Sequence, residues 1–165
     1  MSDSLAIIRR VLDEHRTIGR QMKLAGESVT DEEALAALEK ARADWIPGRP
    51  ESTSAKHGRL LQAIGYVEEG LKNHFAFEED VFPALLGELL ARAIAMQHRE
   101  ILTAIDEIES AMSEARLDKL GREELLAEES RLQQRIGMIS QLVDDHARKE
   151  ELILDMVQRV LEQDG

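Results

Sequence analysis

The chain has 165 residues, enough for one domain with a core that needs no disulfide to hold it. Hydrophobic residues make up 43%, charged residues 33% and aromatics only 3%, a balance that suits long amphipathic helices and argues against a sandwich or barrel. The net charge of −12 disfavours nucleic-acid and anionic-membrane partners, and the absence of cysteine removes disulfides, thiolate nucleophiles and thiolate-bound metal.

A first helix is predicted from about Asp3 to Ala25, with the seam Leu5, Ile8, Leu12, His15, Gly19, Met22 and a stop at Gly26. A short helix follows from Asp31 to about Ala43, where Thr30 and Glu33 have the form of a capping box. Its apolar face, Leu35 and Leu38 with Trp45 beyond, is expected to cross one end of a bundle. Asp44 to Ser54 carries two prolines and a glycine and reads as a loop.

The second main helix spans about Ala55 to Phe82, with seam Leu60, Ile64, Val67, Leu71, His74, Glu78, Val81 and a bend at Pro83 and Gly87. The third runs from about Glu88 to Glu114, with seam Ile94, His98, Ile101, Ile105, Ile108, Met112. The fourth runs from about Arg122 to Leu161, with seam Leu132, Ile136, Ile139, Val143, His146, Glu150, Ile153, Val157, Val160. These helices greatly exceed the usual length of about 11–12 residues, and long helices with short connections favour an up-down-up-down bundle over residues 1–165. No stretch approaches the ~20 apolar residues of a membrane span, and MSDSLAIIRRVLDEHR lacks the form of a signal peptide, so a soluble cytoplasmic protein is expected.

Four seams therefore carry a histidine each: His15, His74, His98 and His146. Two continue one turn later into a glutamate, Glu78 and Glu150. A lone seam histidine is usually a satisfied core residue, but a buried carboxylate without a partner costs several kcal/mol. A dication satisfies all six groups at once, so they are assigned to a metal site. Glu79 and Glu151 stand about 100° off the seam and are placed at the rim, with Glu151 kept as an alternative ligand. Glu14, Arg16, Asn73, Arg99 and Asp145 flank the ligands, either as hydrogen-bond partners of the imidazoles or as a solvated rim. His57 lies about 25 Å along the helix from His74 and is left outside the centre, as a helix-start residue near solvent. Depth along the helices matches for His74 and His98, whereas His146 lies deeper by roughly 12 Å.

Imidazole and carboxylate without thiolate suit iron, manganese or zinc. Four histidines and two glutamates able to bridge suggest two ions. Two octahedral ions need about twelve ligand positions, of which the side chains and a bridging oxide or hydroxide fill about ten. About two then stay open for a small ligand.

The chain resembles the hemerythrin-like, HHE cation-binding proteins. The resemblance rests on Glu14-His15-Arg16, on His74-Phe-Ala-Phe-Glu78-Glu79-Asp80-Val81-Phe82-Pro83, on Gln97-His98-Arg99-Glu100 and on His146-Ala-Arg-Lys-Glu150-Glu151. It implies an all-α, left-handed four-helix bundle, here with a short extra helix and loop between the first two main helices. It implies a non-haem di-iron centre bridged by Glu78 and Glu150. Oxygen carriers of the family place two histidines four apart on the third helix, where this chain has Ile94 and Leu102 beside His98. They also pair the fourth-helix histidine with an Asp five residues on, where this chain offers Glu150 or Glu151. One imidazole fewer favours binding or sensing of O2, NO or iron over reversible oxygen carriage. A di-iron enzyme for oxidative, peroxide or nitric-oxide chemistry is the alternative, as is a zinc or purely structural bundle. Relatives that repair iron–sulfur clusters carry a cysteine, and this chain has none. No phosphate loop or nucleophile elbow competes, and no protein partner is indicated.

Overall fold

A computed structural model describes residues 2–41, 56–115 and 119–164, and these are helical apart from short connections. In chain order the helices are α1 (Ser2–Ser28), α2 (Glu32–Ala41), α3 (Lys56–Leu86), α4 (Glu88–Ala115) and α5 (Arg122–Gln163). The fold is all-α, and no strand occurs among the described residues. No described helix is long and apolar enough to cross a membrane.

The long helices close on one another: α1 packs on α3 and α5, and α4 packs on α3 and α5. The short α2 lies against α1 and α3, burying Leu35 and Leu38 as expected. Trp45 and the 44–54 loop lie outside the described residues.

Several local expectations shift. α1 runs through Gly26 and ends at Ser28, so Gly26 is not its stop. The cap of α2 is Asp31 rather than Thr30: Asp31 Oδ1 accepts from the Glu33 amide at 2.9 Å and the Ala34 amide at 3.4 Å. That satisfies first-turn N–H groups with no intrahelical partner. Thr30 instead accepts a hydrogen bond from Gln133 of α5 at 3.3 Å.

Pro83 lies inside α3, and the chain turns at Gly87 alone. Proline removes a single N–H from the helix ladder, and here the helix carries on for one more turn. Gly87, at φ 89°, adopts a left-handed conformation that a side chain would strain. Its amide donates to the Pro83 carbonyl at 3.1 Å, while its own carbonyl accepts from Ala91 at 3.1 Å to start α4.

The buried seams also move in places. Val11 and Ile18 are buried where Leu12 is half-buried and Gly19 exposed. Phe82 takes the place expected for Val81, Leu154 that expected for Ile153, and Val160 is 56% exposed. A three-four alternation fits two adjacent stripes on a helix, and packing decides which one faces inward.

Two apolar cores result. The larger includes Ile18, Met22, Leu71, Phe75, Ile101, Ile105 and Val143, together with the α2 leucines. The smaller contains Ile8, Val11, Phe82, Ala91, Ile94 and Leu154. Every seam histidine falls between them: His15 between Val11 and Ile18, His74 between Leu71 and Phe82, His98 between Ile94 and Ile101, and His146 between Val143 and Leu154. The depth mismatch at His146 is accommodated by the length of α5, which has 42 residues against 28 for α4.

Candidate metal centre

The polar layer between the two dry cores contains the six assigned residues. His15, His74, His98 and His146 are 8%, 5%, 1% and 5% exposed, and Glu78 and Glu150 are 0% and 1%. The imidazoles meet edge to face in two pairs, with ring centroids 5.0 Å apart for His15 and His74 and 4.8 Å for His98 and His146. The two glutamates lie between the pairs. Glu78 Oε1 is 3.2 Å from His15 Nε2 and 2.7 Å from His74 Nε2, while its Oε2 is 3.0 Å from His98 Nε2. Glu150 Oε2 is 3.3 Å from His15 Nε2, and its Oε1 touches His146 Nε2 and reaches His98 Nε2 at 3.5 Å.

Proximity here is not the same as hydrogen bonding. Oε2 of Glu78, both carboxylate oxygens of Glu150 and Nε2 of His98 and His146 are buried without a partner in hydrogen-bond geometry. Orphaned buried polar atoms are costly, and their convergence on one small volume is what a cation requires of its ligands. Two sets of donor atoms have members within 4.8 Å of one another: His15, His74, Glu78, Glu150 and Glu78, His98, His146, Glu150. Both glutamates belong to both sets. The donors are nitrogen and oxygen only, a set suited to iron, manganese or zinc.

The outward nitrogen of every imidazole is held by a neighbouring helix. His15 Nδ1 faces Glu151 Oε1 at 3.2 Å, His74 Nδ1 faces Glu14 Oε2 at 2.6 Å, His98 Nδ1 faces Glu79 Oε1 at 2.9 Å and His146 Nδ1 faces Gln97 Oε1 at 2.6 Å. The four contacts run once around the bundle: α5 holds α1, α1 holds α3, α3 holds α4 and α4 holds α5. Each supporting residue is the sequence neighbour of an inward ligand of its own helix, about 100° around the axis from it. Carboxylate and amide carbonyl oxygens only accept, so each Nδ1 carries a proton, and a ring that held a metal would turn its Nε2 to the centre.

Spacing along the chain places Glu79 and Glu151 at a rim, with Glu151 also an alternative ligand, and gives Gln97 no separate role; the structure puts all three against imidazoles. Of the flanking residues, Glu14 does hold an imidazole, whereas Arg16 pairs with Asp13 at 3.1 Å and Asp145 accepts from Gln141 at 2.9 Å. The E-E doublets and the residues preceding His15 and His98 were the available signal. Glu14 is itself anchored: Arg10 Nε donates to it at 2.9 Å, and the Arg10 guanidinium stacks 3.6 Å above the Phe77 ring. Phe75, also missed, lies parallel to His98 with centroids 3.9 Å apart and fixes that ring. His57 belongs to neither donor set and sits half-buried in the first turn of α3.

The electrostatics follow from burying two carboxylates. Burial opposes the charged form of His15, but Glu150 and Glu78 outweigh it and push its pKa up to about 10. The same balance, with Glu79 adding to the raising side, pushes His98 up to about 9. His74 is raised by Glu14 and Glu78 against the opposing effect of burial. Burial favours neutral Glu78 and Glu150, yet the surrounding imidazoles hold both below the usual carboxylate range. Without a metal, protons on His15 and His98 supply positive charge to this layer.

The family model described as hemerythrin HHE cation binding domain matches residues 6–157. No curated protein and no solved structure matches the chain.

Proposed function

The chain belongs to the hemerythrin HHE cation-binding family, and from that membership we infer that it is a non-haem di-iron protein that binds or senses a small ligand. The carrying observation is the pair of donor sets that share both glutamates. His15 and His74 would hold one ion, His98 and His146 the other, and Glu78 and Glu150 would bridge them. Iron supplies a redox-active Lewis acid with coordination positions left for O2, NO or a related molecule.

The protein's own residues divide the remaining work. Glu151, Glu14, Glu79 and Gln97 fix the tautomer and rotation of the four rings. The two apolar cores cover the layer from either end of the bundle. The up-down-up-down order is supported by the sequence in which the helices cross it: α1 and α4 pass from the smaller core to the larger, and α3 and α5 pass back. A left-handed bundle is part of the same reading. Ile94 is 5% exposed in the smaller core, and Leu102 packs against the larger. Neither supplies the extra imidazole of the oxygen carriers, so sensing or binding is preferred to carriage.

Metal analysis with absorption spectroscopy tests this reading. Protein purified under iron-replete conditions should hold about two irons per chain, one for each donor set. Less than about one iron, or zinc in its place, refutes the di-iron assignment. A stable spectral adduct with O2 or NO supports binding. Repeated consumption of O2, peroxide or NO supports the enzymatic alternative instead.

A further inference from the structure

Six of the eight large hydrophobic side chains exposed among the described residues stand on α5. Exposed apolar residues scattered singly need no explanation, but these are not scattered. Met138, Leu142, Leu152 and Met156 are between 37% and 73% exposed. With Asp145 and Lys149, both exposed, they follow one another at alternating steps of four and three residues, the period of a helix–helix seam. This is a second seam on α5. Met138, Leu142, Asp145 and Lys149 directly precede the buried Ile139, Val143, His146 and Glu150, so they lie about 100° around the helix from the row that faces the core.

The second seam is symmetric about Ala147. Asp145 and Lys149 lie two residues to either side of it, Leu142 and Leu152 five, and Met138 and Met156 nine. Laid antiparallel against a second copy about a two-fold axis at that level, Met138 meets the partner's Met156, Leu142 meets the partner's Leu152 and Asp145 meets the partner's Lys149. A parallel pair would set Asp145 against the partner's Asp145 and Lys149 against the partner's Lys149, so charge selects the antiparallel order. Asp145 Oδ1 accepts from Gln141 at 2.9 Å, which leaves Oδ2 to accept from the partner's Lys149. Arg148, beside the midpoint, is balanced within its own chain by Asp144 at 3.0 Å. The net charge of −12 opposes the meeting of two copies, but salt screens that general repulsion beyond about 8 Å and leaves the close contacts of the seam less affected.

We propose that this face of α5 is a homodimer interface, in which two copies of the chain pack antiparallel through Met138, Leu142, Asp145, Lys149, Leu152 and Met156. The seam is about 27 Å long at the rise of a helix. An interface of that extent is at the small end of specific contacts, so the dimer forms at micromolar rather than nanomolar protein. The dimer uses no ligand of the metal centre and stands independently of the di-iron reading.

Sedimentation equilibrium of the full chain should show monomer and dimer in exchange, with a Kd of about 1–100 µM. Asp145→Lys and Lys149→Asp each place like charges in the central layer and should weaken the dimer at least about tenfold. An equimolar mixture of these two variants restores opposite charges in both central contacts and should recover the dimer, which misfolding cannot imitate. Leu142→Glu should abolish association, whereas Leu126→Glu, at an exposed site of α5 off the seam, should leave it unchanged. The chain has no cysteine, so single Leu142→Cys and Leu152→Cys variants report the order of the helices. Oxidised together they should form the mixed disulfide, and each alone far less. A native chain that stays monomeric up to about 1 mM overturns the proposal. So does a Leu142→Glu dimer as tight as the native one, or a mixture of the charge variants that stays monomeric. Disulfides that form as fast within either cysteine variant as between the two overturn the antiparallel order.

Discussion

Glu14 Oε2 stands 2.6 Å from His74 Nδ1, so the residue just before the α1 imidazole governs the imidazole of α3. Its carboxyl is held below the usual range because His74 and Arg10 outweigh the effect of burial. Glu14→Ala should lower metal affinity by about 10–100-fold, the usual cost of losing the hydrogen-bond partner of a ligating histidine. The fold should survive, because the Glu14 side chain is 31% exposed. Competition with a chromophoric chelator measures the loss, and unchanged affinity would falsify the orienting role.

Gln97 is the one neutral member of the four supports, facing His146 at 2.6 Å. Gln97→Glu should make the His146 ring a stronger donor and move the reduction potential of the loaded centre to more negative values. Spectroelectrochemical titration reads the change. A potential that stays put or rises contradicts the account.

Glu78 and Glu150 each contact three of the four imidazole Nε2 atoms. Replacing either by alanine should cost the dinuclear centre rather than half of it, since each belongs to both donor sets. Iron analysis of Glu78→Ala and Glu150→Ala decides the matter. Retention of two irons in either variant refutes bridging.

Protons compete with metal at this layer. His15 and His98 keep their protons up to about 10 and about 9, so below that range a metal must displace both. Apparent affinity should therefore fall as pH drops, by about two decades per pH unit for two protons. Chelator competition at about pH 6, 7 and 8, with proton release followed by an indicator dye, gives the slope. An affinity independent of pH is inconsistent with imidazole ligands of raised basicity.

A second acidic group lies away from the centre, where Glu68, Asp106 and Glu109 converge and Lys72 pairs with Glu68 at 2.5 Å. Burial, then the neighbouring Glu68, pushes the Glu109 carboxyl from its ordinary 4.5 up to about 8. The folded state thus holds a proton that the unfolded state has lost, so stability falls as pH rises between 4.5 and about 8. Glu109→Gln removes that loss. The variant should melt roughly 2–4 °C above the parent near pH 8.5 and level with it near pH 4, a gain limited by solvent screening. Thermal melts of the metal-free protein at the two pH values give the comparison, and equal shifts at both contradict the mechanism.

The inward residues were legible because one period governs them. His74 with Glu78 and His146 with Glu150 continue apolar stripes, and a carboxylate buried on such a stripe beside an imidazole demands a positive partner. Helix number and approximate length were readable from the same pattern. Of the supports, only Glu14 was a candidate, and none of the pairings was legible, because every one bridges two helices. Glu151 and His15 are 136 positions apart, and nothing in local spacing links them. Glu79 and Glu151 look like solvated neighbours of the seam until the adjacent helix is in place.

Register was similarly ambiguous on α1, where Leu12 and Gly19 fit the alternation as well as Val11 and Ile18 do. Packing buried the branched pair and left Gly19 exposed. At the α2 cap, Thr30 and Asp31 were both competent, and Gln133 of α5 engaged the threonine.

The amino-acid sequence alone determined an all-helical chain with six metal-type ligands on four seams, since helical periodicity is a local property. Only the tertiary structure decided which nitrogen of each ring faces inward and which residue of the neighbouring helix holds the other. Both depend on the surface that one helix presents to the next.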